Sequence, residues 1–337
     1  MEWETFVAES PDGTVFHTWG WKRFLQCHGF QPFYVVLRNG RGSLVAVCPF
    51  FLDNLFGGAL RTLESLPNSD LGGPLIANNS VLSEVACKLT ELIRRAFIRG
   101  RVVSSIFKLT DRNLCALLYN TGSKVFDGSG YFLWDLESTP PQYIWEHIFN
   151  SRHSQRTYIR RFEKNDFSVR IASSAEDFEA FYSLYSQTVQ RKRGRPYSHR
   201  FLYNLWQGQS PVILRILVVE MRGTIVASVG FLCYAPKKTL HIMYVGYRNI
   251  DSHYKLGLYS YWQTLVWAYS NGFTKVNSGT TPLDPANSLH WFKKQFGGNF
   301  QKRYVLRVPS NALVYSILTR LYQSTILRAL RSPDKLG

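Results

Sequence analysis

A phrase that occurs twice constrains the fold of this chain more than any other feature. RGSLVAVCPFFL starts at Arg41 and RGTIVASVGFLC starts at Arg222. A β-branched run precedes each copy, FYVVLRN before the first and ILVVEM before the second. Each copy therefore reads as strand, tight turn, strand. Gly40 and Gly42 in the first copy, and Gly223 in the second, supply the positive φ that hairpin turns need. A second echo follows. Glu84 to Ile98 reads as helix, then come Gly100 and the strand-like VVSSIFKL; Tyr259 to Ser270 reads as helix, then come Gly272 and FTKVNSG. The hairpins lie about 181 residues apart and the helix–glycine–strand segments about 172 apart, and near-equal spacing predicts two copies of one α/β unit.

A chain of 337 residues accommodates two such units. With 45% hydrophobic and 15% aromatic residues it can build real cores, and no long segment has the composition of disorder. No apolar run approaches the roughly 20 residues of a membrane helix. MEWETFVAES lacks the basic and apolar regions of a signal peptide, so a cytoplasmic protein is expected. Cys27, Cys48, Cys87, Cys115 and Cys233 are scattered, odd in number and mostly in apolar segments; they read as buried thiols in a reducing compartment. No His/Cys cluster has zinc spacing, so no metal is expected. The net charge of +17 favours a polyanionic partner: nucleic acid, a phosphate compound or an anionic membrane face.

Along the first unit, WGWKRFLQ (Trp19 to Gln26) reads as a short helix, LESLPNSDLGGP as a sharply turning loop, and Tyr131 to Leu136 as a strand. Paired prolines make ESTPPQ (Glu137 to Gln142) the best linker. The second unit opens on SRHSQRTYIRRFEKNDF. Arg152, Arg156, Arg160 and Lys164 are four apart and would form one cationic helical stripe, with Tyr158, Ile159 and Phe162 facing inward. SAEDFEAFYSLYSQTV is an amphipathic helix capped by Ser174 or Ser173, and RKRGRP (Arg191 to Pro196) is a basic turn. TLHIMYVGY, FTKVNSG and QKRYVLRV read as strands, with a loop and short helix in TTPLDPANSLHWFKKQFGG. The tail after residue 308 has apolar residues at helical spacing and arginines at 320, 328 and 331, which suits docking on the protein or lying on an anionic membrane. The expected organisation is α/β with mixed sheets, residues 1–140 and 141–308 forming the two units and 309–337 an amphipathic basic helix.

The ordered set FHTWGWKRFL, AVCPFFL, LGGP, SQRTYIRRFEKN, FYSLYSQTVQRKRGRP and NSGTTPLDPANSLHWFKKQFGG resembles FemAB-like proteins, up to about residue 308. That family carries two GNAT (N-acyltransferase) folds in tandem. It includes ligases that add amino acids to peptidoglycan precursors, and acyltransferase-like members tied to polysaccharide or exopolymer synthesis. The resemblance implies amide-bond formation, in which an amine attacks an acyl group carried on coenzyme A or on tRNA. The helical pair that many Fem ligases insert to contact tRNA is missing, since no long heptad-like stretch occurs. The charge keeps tRNA as a candidate donor.

In GNAT folds two parallel strands splay apart, and the loop and helix N-terminus after the first strand hold the donor's pyrophosphate. The matching stretch here is RNIDSHYKLGLYS, which assigns Tyr254, Lys255 and Gly257 to donor binding. Only Gly257 fits the usual glycine fingerprint, and the bulky Tyr259 stands where a small residue would let phosphate approach. LPNSDLGGP in the first unit reads as a turn. The Fem ligases place a lysine after a phenylalanine near the end of the second unit, where it is thought to stabilise the oxyanion. Phe292 and Lys293 match, with Lys294 beside them; both lysines also fit solvated charges on a short helix. The resemblance assigns Arg156, Arg160 and Arg161 to the diphosphate of a nucleotide- or lipid-linked anionic acceptor, and Tyr244 to substrate binding. Asp70, Asp251, His241, His253 and His290 are weak candidates for a base; turn or capping roles are favoured for the two aspartates and a core role for His241. A degenerate, non-catalytic GNAT pair that binds nucleic acid or an anionic membrane is the alternative, although no interleaved basic–aromatic run of a base-stacking surface is present.

Overall fold

Both hairpins form, each on a turn that glycine makes possible. A computed structural model describes residues 2–55, 60–100, 102–119, 124–149, 153–208, 212–248 and 254–309. The described residues fall into two compact units, one of residues 2–129 and 302–309, the other of 130–301. The expected C-terminal helix, Arg152, Asp251 and His253 lie outside the described residues.

The first unit begins with α1 (Glu2–Glu9), α2 (Trp19–Cys27), β1 (Gln31–Arg38) and β2 (Leu44–Leu55). Thr18 caps α2 by accepting from the Trp21 amide. The β1–β2 turn rests on Gly42 at φ +81° and on the Asn39 side chain, which accepts from the amides of Arg41 and Ser43. Then follow β3 (Leu60–Ser65), β4 (Leu75–Ile76), α3 (Leu82–Gly100), β5 (Val102–Leu109), α4 (Arg112–Tyr119) and the start of β6 (Lys124–Asp135). Strand order in this unit is β1-β2-β3-β5, with the last strand, β12 (Asn299–Pro309), antiparallel to β5 through Tyr304 to Pro309. β3 and β5 run parallel, from Arg61–Val102 to Glu64–Ile106.

In the second unit, the end of β6 leads through Pro141, the N1 residue of α5 (Pro141–Tyr143), into a π-turn over Ile144–Ile148. α6 (His153–Glu163), β7 (Phe167–Ile171), α7 (Ala175–Arg191), α8 (His199–Trp206), β8 (Arg215–Met221), β9 (Thr224–Tyr234), β10 (Thr239–Tyr247), α9 (Leu256–Ser270), β11 (Lys275–Asn277) and α10 (Ser288–Lys294) follow. The strand order is β6-β11-β10-β9-β8-β7. The β8–β9 turn is Arg222–Gly223, both at positive φ. The ladders of both hairpins slip by one residue close to the turn, at Leu37/Arg38 and at Val219/Glu220, so the repeat extends to this irregularity. Ile159 and Phe162 face inward from α6 as their spacing requires, and with Trp134, Phe149, Phe231 and Phe296 they close the core over the sheet. Each such side chain contributes about 1.5–3 kcal/mol on burial.

The thiols depart in part from expectation. All five cysteines are free; Cys48 and Cys115 are buried and Cys233 is half-buried, but Cys27 and Cys87 are exposed, one ending α2 and the other on the outer face of α3. Burial pushes the Cys48 thiol up, and that of Cys233 up to about 12, so both stay protonated and inert.

Ser174, rather than Ser173, caps α7. Its hydroxyl accepts from the Asp177 amide, and the Asp177 carboxylate accepts from the amides of Ser173 and Ser174. Arg170 on β7 donates to both Asp177 oxygens at 2.6 Å and to Glu220 on β8. The Arg170 hydrogen bonds hold the Asp177 carboxyl well below its ordinary value of 3.8. A depressed folded pKa adds stability that is fully present above the unfolded value and is lost as pH falls through the folded one. Asp177→Ala removes cap and ion pair together and is expected to cost about 2–4 kcal/mol at pH 7 in urea unfolding. The deficit relative to wild type should shrink as pH drops below about 4, because acid protonates the wild-type carboxyl too.

Candidate functional site

The site starts where a ladder of hydrogen bonds ends. β10 and β11 pair in parallel over three residue pairs only, Thr239–Lys275, Leu240–Val276 and His241–Asn277. Beyond them each branch keeps its antiparallel neighbour. β10 stays on β9 as far as Tyr247, and the Arg248 amide still donates to the Val226 carbonyl. The chain after β11 stays on β6: the Ser278 amide donates to the Phe132 carbonyl, and Gly130 and Thr281 exchange two hydrogen bonds of 2.7–2.8 Å. Among the described residues the two branches diverge and leave a wedge in the sheet. A bulge between Ile242 and Tyr244 sets Met243 outside the β9 ladder on the strand that borders it.

The N-terminus of α9 stands at the end of β10. Gly257 lies in its first turn, where a Cβ would come 3.9 Å from both Phe292 Cζ and Tyr247 Cε1. β10, α9 and α10 thus meet at this glycine. The first-turn amides of a helix lack intrahelical partners and carry partial positive charge. The ring of Tyr259 does not occupy this approach: it is buried, stacked on Phe162 with centroids 4.2 Å apart and planes 6° from parallel. The steric objection raised from the sequence fails, because position 259 falls on the inward face of α9. Tyr254 packs on Phe162 and Phe167. Exposed Lys255 places its ammonium 5.6 Å from the Tyr158 ring centre, and Arg161 reaches the same ring at 5.8 Å.

The other predicted residues divide by environment. Arg156 donates through Nε and Nη2 to the Trp145 carbonyl and lies over the Trp145 ring; exposed Arg160 lies over the same ring at 5.6 Å. Tyr244 is buried in a cluster with Tyr185 and Tyr197. Phe292 packs edge-on against Tyr261, and Lys294 is exposed. Lys293 is 3% exposed, and its ammonium donates to Gly279 O (2.9 Å), Thr280 O (3.0 Å) and Thr281 Oγ1 (3.1 Å). His290 is held by Phe132 and Phe300, and its Nδ1–H donates to Pro282 O at 2.8 Å, since a carbonyl can only accept. His241 is buried within β10. Among the described residues no group of acids, cysteines and histidines could hold a metal ion, and no helix is long and apolar enough to cross a membrane.

The corresponding wedge in the first unit is filled by its own chain. β3 and β5 stop pairing after Glu64 and Ile106, and loop 66–73 folds back between them. The Gly72 amide donates to the Lys108 carbonyl on β5, and the Gly73 amide donates to Ser65 Oγ on β3. Gly73, at φ +116°, passes so close that a Cβ would meet Leu109 Cδ2 at 2.5 Å. Lys108 fastens this loop by donating to the carbonyls of Leu66 and Ser69, and it pairs with Glu64 at 2.8 Å. LPNSDLGGP is the turn its composition predicts, and the Asp70 carbonyl within it accepts from Arg303.

Residues 150–293 match the family model of the acetyltransferase (GNAT) domain. Those residues form a GNAT-like domain. That domain holds the open wedge, and β10, α9 and β11 are its splayed strands and intervening helix. A search of curated proteins finds no match. By structure the whole chain is similar to FemX, with TM-score 0.72 and 11% identity over 94% of this chain and 97% of that one. It is also similar to L-PGS from Bacillus licheniformis (0.59; 15% identity; 92% and 95%) and to a tandem GNAT protein from the clavulanic acid biosynthesis pathway (0.53; 12%; 84% and 84%). At such identities the likeness shows the fold, and with the domain match it bears out the resemblance to FemAB-like tandem GNAT chains.

Some residues of the GNAT domain's site carried no local signal. Arg191, read from the sequence as part of a basic turn, donates to the Tyr247 carbonyl at 2.8 Å, and Thr188 both accepts from the Tyr247 amide and donates to its carbonyl. These bonds pin the end of β10 to α7 across 56 to 59 residues of sequence. In the first unit, Lys108→Met should leave Glu64 and two carbonyls without their ammonium and cost about 2–4 kcal/mol in urea unfolding. A change below about 0.5 kcal/mol would show that the ion pair does not hold the loop.

Proposed function

We propose that the protein is a FemAB-like N-acyltransferase. It forms an amide bond by transferring an acyl or aminoacyl group to an amine of a cell-envelope, peptidoglycan or exopolysaccharide precursor. The open wedge in the GNAT domain carries this reading. An acyl donor laid in the wedge would have its carbonyl beside β10, where the bulge at Met243 breaks the regular ladder and backbone N–H groups are at hand for the oxyanion. The α9 N-terminus at Gly257, with Lys255 beside it, suits the donor's phosphates. The amine attacks the acyl carbon, and the tetrahedral intermediate collapses with loss of the coenzyme A thiol or the tRNA hydroxyl, which takes up the proton the amine gives away. Positioning supplies much of the acceleration in such a step.

The donor is acyl-coenzyme A or aminoacyl-tRNA. Two of the similar structures are FemX and L-PGS, which supports an aminoacyl donor and an envelope acceptor. An anionic acceptor, nucleotide- or lipid-linked, agrees with the net charge of +17 and with exposed Arg160, Lys192, Arg193 and Arg195. The same charge supports contact with tRNA or with an anionic inner membrane face.

The test is to incubate the protein with labelled acetyl-coenzyme A and, separately, with charged tRNA, following transfer and thermal stabilisation. Transfer from either donor supports the proposal; neither transfer nor a shift in Tm contradicts it. Gly257→Ala has room for its methyl group and should keep or raise Tm, while raising the KM for the active donor by about tenfold as the methyl intrudes on the phosphate approach. An unchanged KM would remove the α9 N-terminus from the donor site.

A further inference from the structure

We propose that Trp291 is a stacking platform for the adenine of the acyl donor, with Lys294 beside it for a neighbouring phosphate. This role rests on the acyltransferase reading and names the part of the donor that α10 grips. The chain has nine tryptophans. The other eight are buried or half-buried, and each packs on another aromatic ring. Trp291 is 57% exposed, and among the described residues no ring or cation packs on it. An indole is a large flat apolar surface with a strong gain on burial, and here it faces solvent.

The helix that carries it is fixed on its other sides. His290 is held by Phe132, Phe300 and the Pro282 carbonyl, Phe292 packs edge-on against Tyr261, and Lys293 donates to Gly279, Thr280 and Thr281. The Asn287 side chain caps α10, and the Asn287 carbonyl accepts from the Trp291 amide at 2.9 Å. A rigid backbone therefore presents the indole, and little ordering is left for a ligand to impose. Residues three apart on a helix share a face, which puts exposed Lys294 on the Trp291 side. Phe292, the next residue, lies 3.9 Å from where a Cβ on Gly257 would stand. Consecutive Cα atoms are about 3.8 Å apart. The platform is thus rooted one residue from the side chain that borders the α9 N-terminus, where the donor's phosphates are proposed to sit.

Both candidate donors bring the same group there. Coenzyme A and the 3′ end of charged tRNA share an adenosine with a 5′-phosphate, so the base lies one ribose from that phosphate. With the phosphate at Gly257, a base turned toward α10 meets the indole. Lys294 then faces a second phosphate, the 3′-phosphate of coenzyme A or the preceding phosphodiester of tRNA. An aromatic side chain stacked on a base, next to a cation, holds nucleotides without needing hydrogen bonds to the base edge.

The test uses the full-length protein, with adenosine monophosphate as the fragment common to both donors. With fluorotryptophan incorporated, the fluorine resonance missing from Trp291→Phe identifies the indole. That resonance should shift on titration with adenosine monophosphate while the other eight stay in place, and uridine monophosphate, with its smaller base, should shift it less. Trp291→Ala should keep the wild-type Tm, because the side chain is exposed, and raise the KM of the active donor by about tenfold with kcat within about threefold. Trp291→Phe, which keeps a smaller ring, should raise KM by less. The rise seen with acetyl-coenzyme A should vanish with acetyl-phosphopantetheine, which lacks the adenosine; if charged tRNA is the donor, it should vanish with an aminoacylated RNA whose 3′ end is abasic. An unmoved Trp291 resonance, an unchanged KM, or an equal rise with the donor that lacks the base would overturn the proposal. If the wild-type protein transfers from neither donor, the acyltransferase reading fails, and the fluorine titration alone decides whether Trp291 holds an adenine.

Discussion

The structure turns on a parallel strand pair that is abandoned after three residue pairs. Backbone amides and carbonyls inside a protein must be paired, so a sheet does not part between two central strands without replacements. Here they are specific. β10 keeps β9, and at Tyr247 it takes the Thr188 hydroxyl and the Arg191 guanidinium. The chain beyond β11 keeps β6 and takes the Lys293 ammonium. Each branch is saturated on the far side of the gap, and the gap persists.

The two units apply one topology to opposite ends. Both have a hairpin, a parallel pair and a helix between the parallel strands. In the first, the glycine-rich loop at Leu71–Gly73 is small enough to enter the gap, and Lys108 with Glu64 fixes it there. In the second, the stretch after β10 leads to α9, and Gly257 keeps the helix N-terminus uncluttered between Tyr247 and Phe292. Among the described residues the first unit's wedge is filled and the second unit's is open, and chemistry is assigned to the second.

Much of the fold was legible in the sequence, for physical reasons. Hairpins declare themselves through β-branched runs around glycine turns, and Ser174 with Asp177 three residues on is a local capping pattern. The site was less so. Tyr259 read as an obstruction because side-chain bulk is visible in sequence but the face of α9 it occupies is not; its stacking on Phe162 depends on how α6 and α9 pack. Lys293 read as an oxyanion donor or a solvated charge because nothing within α10 announces the carbonyls of residues 279 and 280. Arg191 and Thr188 gain their role only when α7 lies against the end of β10. Such contacts are set by tertiary structure, and neither spacing nor composition encodes them locally.

The central claim is that only the second unit's wedge receives the acyl donor. A photoreactive acyl-coenzyme A, or a photoreactive aminoacyl-tRNA if tRNA proves to be the donor, tests it directly when the crosslinked peptides are mapped. The account predicts one donor per chain, with labelling confined to peptides from β10 through α9 and from the 278–294 region. Labelling of peptides covering 60–76 at comparable yield would contradict it.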